Sequence, residues 1–600
     1  MKLFFSLIGA TALFVVLFGF IEIRSARAIA SQQAKQQVVA QLETLRTYVD
    51  STFLPLAQRT HSTDSLQAAF VALRRQYKAV EPVTEYYMPG TSQQLNGPPL
   101  PEIEVEEHKV FEPGGLQVIE PMLYPAFDPA RRDELLREVG KFRRELNSAR
   151  YLWYATYPTD AHLFDLMRLG TFRLATLGIS GFDTPACRTA IPEAAETLRS
   201  LQRVLSLYKN GSDAYKALNA RFDRAIAYCQ QHPDFEAFDR AAFLRTYLNP
   251  LSAGLLDNQT ALGIAPLTDQ RPLRATARTL FDRDAFNPAF YAPTADARPT
   301  PARVALGRQL FADPILSGDG TRSCATCHQP DRAFTDGLPR ALGTSVGVPL
   351  RNTPTLLNAA LQAKQFYDLR TNTLESQAFD VVHNRAEMGG SLEGAARKMQ
   401  VNKAYVAAFR KAFPAAAGDS SPGLITADQI QNALASYERS LTSMNSRFDR
   451  YMRGENAALT SEEVRGFNVF MGKGQCGICH FMPLFNGTVP PAYTQTESEV
   501  IGVPARPDNR HLDDDGGRYV HTKLDPLQFA FKTPTLRHAA QTAPYMHNGV
   551  YRTLEEVVDF YDRGGGKGLG FELPNQTLPE GKLNLTVSEK KALVAFLKTL

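Results

Sequence analysis

Two copies of one short motif constrain this 600-residue chain more than any other feature: Cys324-Ala-Thr-Cys327-His328 and Cys476-Gly-Ile-Cys479-His480. Two thiols three positions apart on a helical turn reach the two vinyl groups of one porphyrin, and the adjoining histidine turns its imidazole onto the iron. A chance Cys-x-x-Cys-His in such a chain has a probability on the order of one in a thousand, so two together mark two covalent haem c sites. A thioredoxin-like dithiol or a pair of zinc half-sites would use the cysteines, yet neither needs a histidine directly after both of them. The flanks repeat too. GRQLFADPILSGDGTRSCATCHQP (307–330) and GFNVFMGKGQCGICHFMP (466–483) each run from a helix through a Gly-bearing loop into the motif, so two related modules are expected.

Covalent haem attachment implies an exported chain, and the N-terminus agrees. Lys2 precedes an apolar run at residues 3–23, and Ala28-Ile29-Ala30 offers an A-x-A cleavage pattern, so residues 1–30 read as a signal peptide or a membrane anchor. Either reading places the remainder in the periplasm or cell envelope, anchored to the inner membrane in the second case. The 66 Lys and Arg against 62 Asp and Glu give a net charge of +4, which argues against nucleic acid as a partner.

The length calls for at least two domains. Residues 31–265 carry apolar residues at three- and four-residue intervals and read as a helical bundle. Residues 266–302, with Pro288, Pro293, Pro299 and Pro301, read as a linker. Two cytochrome c-like helical domains follow at 303–455 and 456–600, giving a mainly α chain with one covalent haem in each of the last two domains. Cys187 and Cys229 lie in the helical region and form either a disulfide or two separate thiols.

A haem iron with one His and an exchangeable sixth position binds peroxide, whereas two strong protein ligands leave only electron transfer. Between His328 and His383 there is no histidine or methionine, so the first haem is the better candidate for an open site. Downstream, FYDLRTNTLESQAFDVVHNRAEMGG places Gln377 and Glu387 near a helix and the turn after it. A carboxylate beside bound peroxide takes the proton from one oxygen and delivers it to the other. Read alone, Glu387 is also compatible with a solvated helix-end charge.

The last 300 residues resemble the bacterial di-haem cytochrome c peroxidases and the MauG-type enzymes. The resemblance runs through RNTPTLLNAA (351–360), FYDLRTNTLESQA (366–378), AEMGG (386–390) and FKTPTLRHAAQTAPYMHNGVYRTLEEVVDFY (531–561). It implies that the haem of residues 303–455 is the peroxide-reacting one, with His328 as proximal ligand, Glu387 as distal acid-base group and Gln377 beside it. The haem of residues 456–600 is then the electron-transfer haem. The resemblance further implies one calcium ion held by Asn358, Thr542 and Pro544. Where the family has a Trp between the haems, this chain has Tyr367. Where typical peroxidases supply a Met to the second iron, Tyr561 stands here, the MauG-like pattern, with Met546 and Met482 as alternatives to it beside His480. A phenolate lowers the iron's potential relative to Met.

The first 265 residues are similar to imelysin-like helical proteins, whose G-x-H-x-x-E element is associated with metal uptake. This chain has Gly115-Leu-Gln117-Val-Ile-Glu120, with Gln in place of the His. The function expected is a di-haem c-type peroxidase that reduces hydrogen peroxide with electrons from a cytochrome c or a cupredoxin. A MauG-like oxidase acting on a protein substrate, and a non-catalytic electron carrier or haem sensor, are the alternatives. A homodimer is compatible with each.

Overall fold

The computed structural model describes residues 30–268, 270–414, 423–579 and 581–600. The expected leader or anchor therefore lies outside the described residues, and among those described no helix is long and apolar enough to cross a membrane. The chain is mainly helical and divides into two compact units, the first closing at Leu267 and the second running from Thr268 to Leu600, with short exchanges at Ile103–Val110 and Asp239–Ala241.

The first unit is a bundle. Its helix Thr63–Lys78 shows why: Leu66, Phe70, Leu73 and Tyr77 recur on one face and are buried, and Ser62 caps the start by accepting from Ser65 N. Its core is not purely apolar. Arg74 pairs with Glu193, Lys78 with Glu81 and Asp183, and Arg173 holds both oxygens of Asp183, every one of them buried. Breaking one such pair leaves an uncompensated buried charge, which costs about 3–5 kcal/mol.

The second unit contains two modules built alike. In the first, helix Pro301–Ala312 crosses helix Ala427–Arg439 so closely that a Cβ on Gly307 would lie 1.9 Å from the Ala433 carbonyl oxygen. In the second, helix Ser461–Met471 crosses Val587–Leu597, and a Cβ on Gly466 would lie 1.9 Å from the Ala592 oxygen. The repeated glycine is thus the contact point of the terminal helices. Phe448, Phe467, Phe485 and Phe596 fill the core under the second crossing, with ring centroids 4.8–5.9 Å apart.

Two expected boundaries move. The proline-rich stretch before Pro301 is a packed strap, not a free linker. Arg274 N donates to the Ala285 oxygen at 2.8 Å, Phe281 packs on Phe448, and Phe286 packs edge-on against Tyr493. Its buried Leu273, Phe281 and Phe286 outweigh the proline signal. The second module also begins before residue 456, because helix Arg447–Met452 supplies Phe448 to that core and Asp449 to the buried Arg537, with N to O distances of 2.7 and 2.8 Å.

Candidate functional site

Both Cys-x-x-Cys-His motifs open into one continuous cavity of about 690 Å³ in the second unit. Cys324–Cys327 form a single helical turn, capped reciprocally by Ser323 and Thr326, and Cys476–Ile478 form a 3-10 turn. All four motif thiols and both motif histidines line the cavity.

The two imidazoles are oriented alike. His328 Nδ1 lies 3.0 Å from the Phe334 carbonyl, and His480 Nδ1 lies 3.1 Å from the Pro534 carbonyl. Donating from Nδ1 leaves Nε2 as the metal-binding nitrogen, the arrangement a ligating histidine requires. Burial lowers both basicities, His480 to about 4, so both rings are neutral and ready to ligate at pH 7. Dithiol, oriented imidazole and apolar cavity together fit a covalent haem at each motif.

Past the motifs the modules stay in register. Thr353-Pro-Thr-Leu-Leu-Asn358-Ala-Ala returns as Thr533-Pro-Thr-Leu-Arg-His538-Ala-Ala. Asn358 and His538 both adopt left-handed backbone at the start of a 3-10 turn. Helix Leu374–His383, capped by Thr373, returns as Leu554–Asp562, capped by Thr553. The same offset in numbering pairs Val381 with Tyr561. Both line the cavity, each on the corresponding helix of its module. Where the second module offers a phenol, the first offers a side chain that cannot bind iron.

Around the first motif the cavity wall includes Gln377, Val381 and Glu387. Gln377 stands one helical turn before Val381, and Glu387 follows in the turn after the helix. Glu387 accepts from Asn384 Nδ2 at 2.9 Å, and burial raises its pKa, with Arg370 pulling in the opposite direction. It is thus more than the solvated charge that a lone Glu suggests.

Around the second motif, burial raises the pKa of the Tyr561 phenol, with Cys479, Cys476 and Glu499 adding to the effect. Met546 also lines the cavity, whereas Met482 is fully buried outside its wall. Of the two alternative sulfur ligands, only Met546 is placed at the site.

Tyr367 lies where the modules meet. Its hydroxyl donates to Asn352 Oδ1, while Asn352 Nδ2 donates to the Pro544 carbonyl at 2.9 Å and Asn352 N to the His547 carbonyl at 2.8 Å. In return, Lys532 N donates to the Tyr367 carbonyl at 2.7 Å. Arg351 ties the same seam by pairing with Asp368 and with both oxygens of Asp515.

The expected set Asn358, Thr542 and Pro544 is not brought together. Both ends of the Asn358 amide are used on Ser443, accepting from its N at 2.8 Å and donating to its O at 3.2 Å, and Asn358 lies outside the cavity wall. The asparagine beside Pro544 is Asn352, six residues earlier, which lines the cavity with Thr542 and Pro544.

Sequence reasoning missed Val381 and Asn352, although the repeated T-P-T-L and T-L-E elements signal the first. It also missed Glu438, Glu499 and Lys532, all lining the cavity. Burial raises Glu438 to about 8 and Glu499 to about 7, and lowers Lys532 to about 8. Only the folded path reveals that these three are enclosed.

In the first unit, Gln117 donates to the Asn96 carbonyl at 2.7 Å, and Glu120 accepts from Ala186 N and Cys187 N. Both are buried and bonded to backbone groups, Glu120 through Oε1 alone, its Oε2 being buried without a hydrogen-bond partner. Cys187 and Cys229 are both free thiols.

A family profile described as di-haem cytochrome c peroxidase matches residues 301–457. The methylamine utilization protein MauG of Methylorubrum extorquens is 37% identical over 304 residues, covering 50% of this chain and 78% of that protein. The cytochrome-c peroxidase IdrP1 of a Pseudomonas species is 35% identical over 367 residues, covering 56% and 93% respectively. Among solved structures, a MauG-like protein associated with microbial copper homeostasis aligns at 30% identity and a TM-score of 0.44, covering 51% of this chain and 91% of that one.

Proposed function

The chain belongs to the di-haem cytochrome c peroxidase family that includes the MauG proteins, and on that premise we propose that its two haem sites divide the reduction of hydrogen peroxide between an open first site and a closed second one. The observation that carries the division is Val381 at the position Tyr561 holds in the other module. The bound haems supply the redox-active iron.

His328 would hold the first haem through its Nε2, and Val381, which offers no ligand atom, would leave room for peroxide at that site. Glu387 in its carboxylate form takes a proton from the near oxygen of peroxide and returns it to the far one, so that the O–O bond breaks with water as leaving group. Gln377 orients the peroxide by hydrogen bonding. Two electrons and two protons then complete the conversion of one peroxide to two waters. His480 and Tyr561 would hold the second haem, which would supply the electron-transfer chemistry, with a cytochrome c or a cupredoxin as the donor. Tyr367 and Asn352 offer a hydrogen-bonded protein path across the seam.

Tyr561 favours a second reading of the same site. A phenolate ligand stabilises oxidised iron, which suits an oxidase that draws its electrons from a protein substrate as the MauG-like pattern implies. The calcium ion suggested by the family resemblance would draw on the oxygens of Thr542 and Pro544, and on Asn352 in place of Asn358 only with the Asn352 amide turned so that Oδ1 leaves Tyr367 and faces Pro544. Covalent haem attachment at both motifs would suit a protein of the cell envelope.

An electron paramagnetic resonance spectrum of the resting holoprotein tests the division. The expected result is one high-spin and one low-spin haem, with peroxide altering the high-spin signal first. Two low-spin haems that ignore peroxide would select an electron carrier or sensor instead.

A further inference from the structure

The first unit displays an aromatic face that neither the peroxidase chemistry nor the family resemblance uses. At the end of helix Arg132–Ala155, Trp153 turns inward and is fully buried, while Tyr151, Leu152 and Tyr154 turn outward at 69%, 48% and 76% exposure. Tyr157 follows in the next turn at 84%. Four large, largely apolar side chains within seven residues are thus left in water. Single exposed hydrophobics need no explanation, but a cluster does.

The face is fastened to the residues that follow the apolar N-terminal run. Ser31 Oγ donates to the Pro158 carbonyl, Lys35 Nζ to the Tyr154 carbonyl, and Trp153 Nε1 to the Lys35 carbonyl at 3.1 Å. The Lys35 ammonium also lies 4.3 Å from the Tyr157 ring centroid and 5.4 Å from that of Tyr154. Only residues 24–30 separate Ser31 from the run at 3–23. At no more than about 3.6 Å per residue, that connection spans at most roughly 29 Å.

We propose that Tyr151, Leu152, Tyr154 and Tyr157 seat in the headgroup layer of a lipid bilayer, beside the point where the apolar N-terminal run leaves it. The proposal rests on that run being retained in the mature protein. Its length matches the roughly 20 apolar residues that a bilayer core requires. Tyrosine suits the layer next to it, because its ring enters the acyl boundary while its hydroxyl stays hydrated. Lys35 brings a cation to the same face, where anionic headgroups attract it. A tether this short also raises the local concentration of the face at the membrane, so a contact too weak to hold a free protein is held here.

The chain carries its own reporter, because Trp153 is its single tryptophan and lies directly under the face. The full-length holoprotein would be reconstituted into phosphatidylcholine and phosphatidylglycerol vesicles, with and without phospholipid brominated near the headgroup end of its chains. The expected result is that the protein floats with the vesicles and that brominated lipid quenches Trp153 emission. A Tyr154→Asp, Tyr157→Asp double variant should still float yet lose that quenching, with peroxide turnover unchanged. Vesicle-bound wild type with unquenched Trp153 would overturn the proposal and leave the face to a protein partner. A chain that does not float because residues 1–30 have been removed would overturn it as well, and neither outcome would disturb the peroxidase reading.

Discussion

The two haem modules share their terminal-helix crossing, the capped helices Leu374–His383 and Leu554–Asp562 and their histidine orientation, yet differ at one paired position on those helices. Tyr561 gives the second module a phenol facing the cavity, and Val381 gives the first an inert isopropyl group. The loop at the first site is also more open: Val346, Val348 and Leu350 are exposed along it, and the last two line the cavity. The repeated scaffold thus presents different side chains to the cavity from nearly the same backbone.

The largest break in this comparison should come from Glu387→Gln, which keeps the shape and removes the base. Turnover of peroxide should fall by about 10²–10⁴-fold, read by steady-state kinetics, with haem spectra unchanged at rest. The wild type should lose activity as pH falls through a pKa above the ordinary glutamate value of 4.5, because burial raises Glu387 and only its carboxylate accepts the proton. The variant should lack that acidic limb.

Val381→Tyr tests the division itself by giving the first module the phenol of the second. The high-spin signal should be lost and peroxide should react at least about tenfold more slowly, since the sixth position is now contested. Smaller effects should follow at the shared crossings. Gly307→Ala and Gly466→Ala each force a Cβ onto a backbone oxygen and should each cost about 1–3 kcal/mol or more in chemical denaturation, by similar amounts if the modules are true repeats. The smallest change is Tyr367→Phe, which deletes one hydrogen bond to Asn352 and should cost about 0.5–1.5 kcal/mol. Inter-haem electron transfer, followed by stopped-flow spectroscopy, would show whether the ring or the hydroxyl matters.

The cofactor chemistry was legible because Cys-x-x-Cys-His packs thiols, ligand and spacing into five consecutive residues. The helical class was legible from periodicity, and the place of Tyr561 at the cavity from the family resemblance. Asn352 was not, because it and Asn358 flank the same T-P-T turn and only the backbone path decides which amide faces Pro544. The strap before Pro301 was misread because prolines signal a lack of regular structure, which is not a lack of packing: Phe281 and Phe286 are buried without belonging to any helix. Glu438, Glu499 and Lys532 look like surface charges, and nothing local marks them as enclosed.

The exchange of hydrogen bonds across the seam, Asn352 to His547 in one direction and Lys532 to Tyr367 in the other, also sets an order of events. A chain emerging N-terminus first presents Cys324, Cys327 and His328 well before Lys532 and His547 have been made. Until those residues are made the wall of the first pocket is incomplete, because Lys532 and His547 line the one cavity into which both motifs open, so closure of the first site depends on the C-terminal repeat.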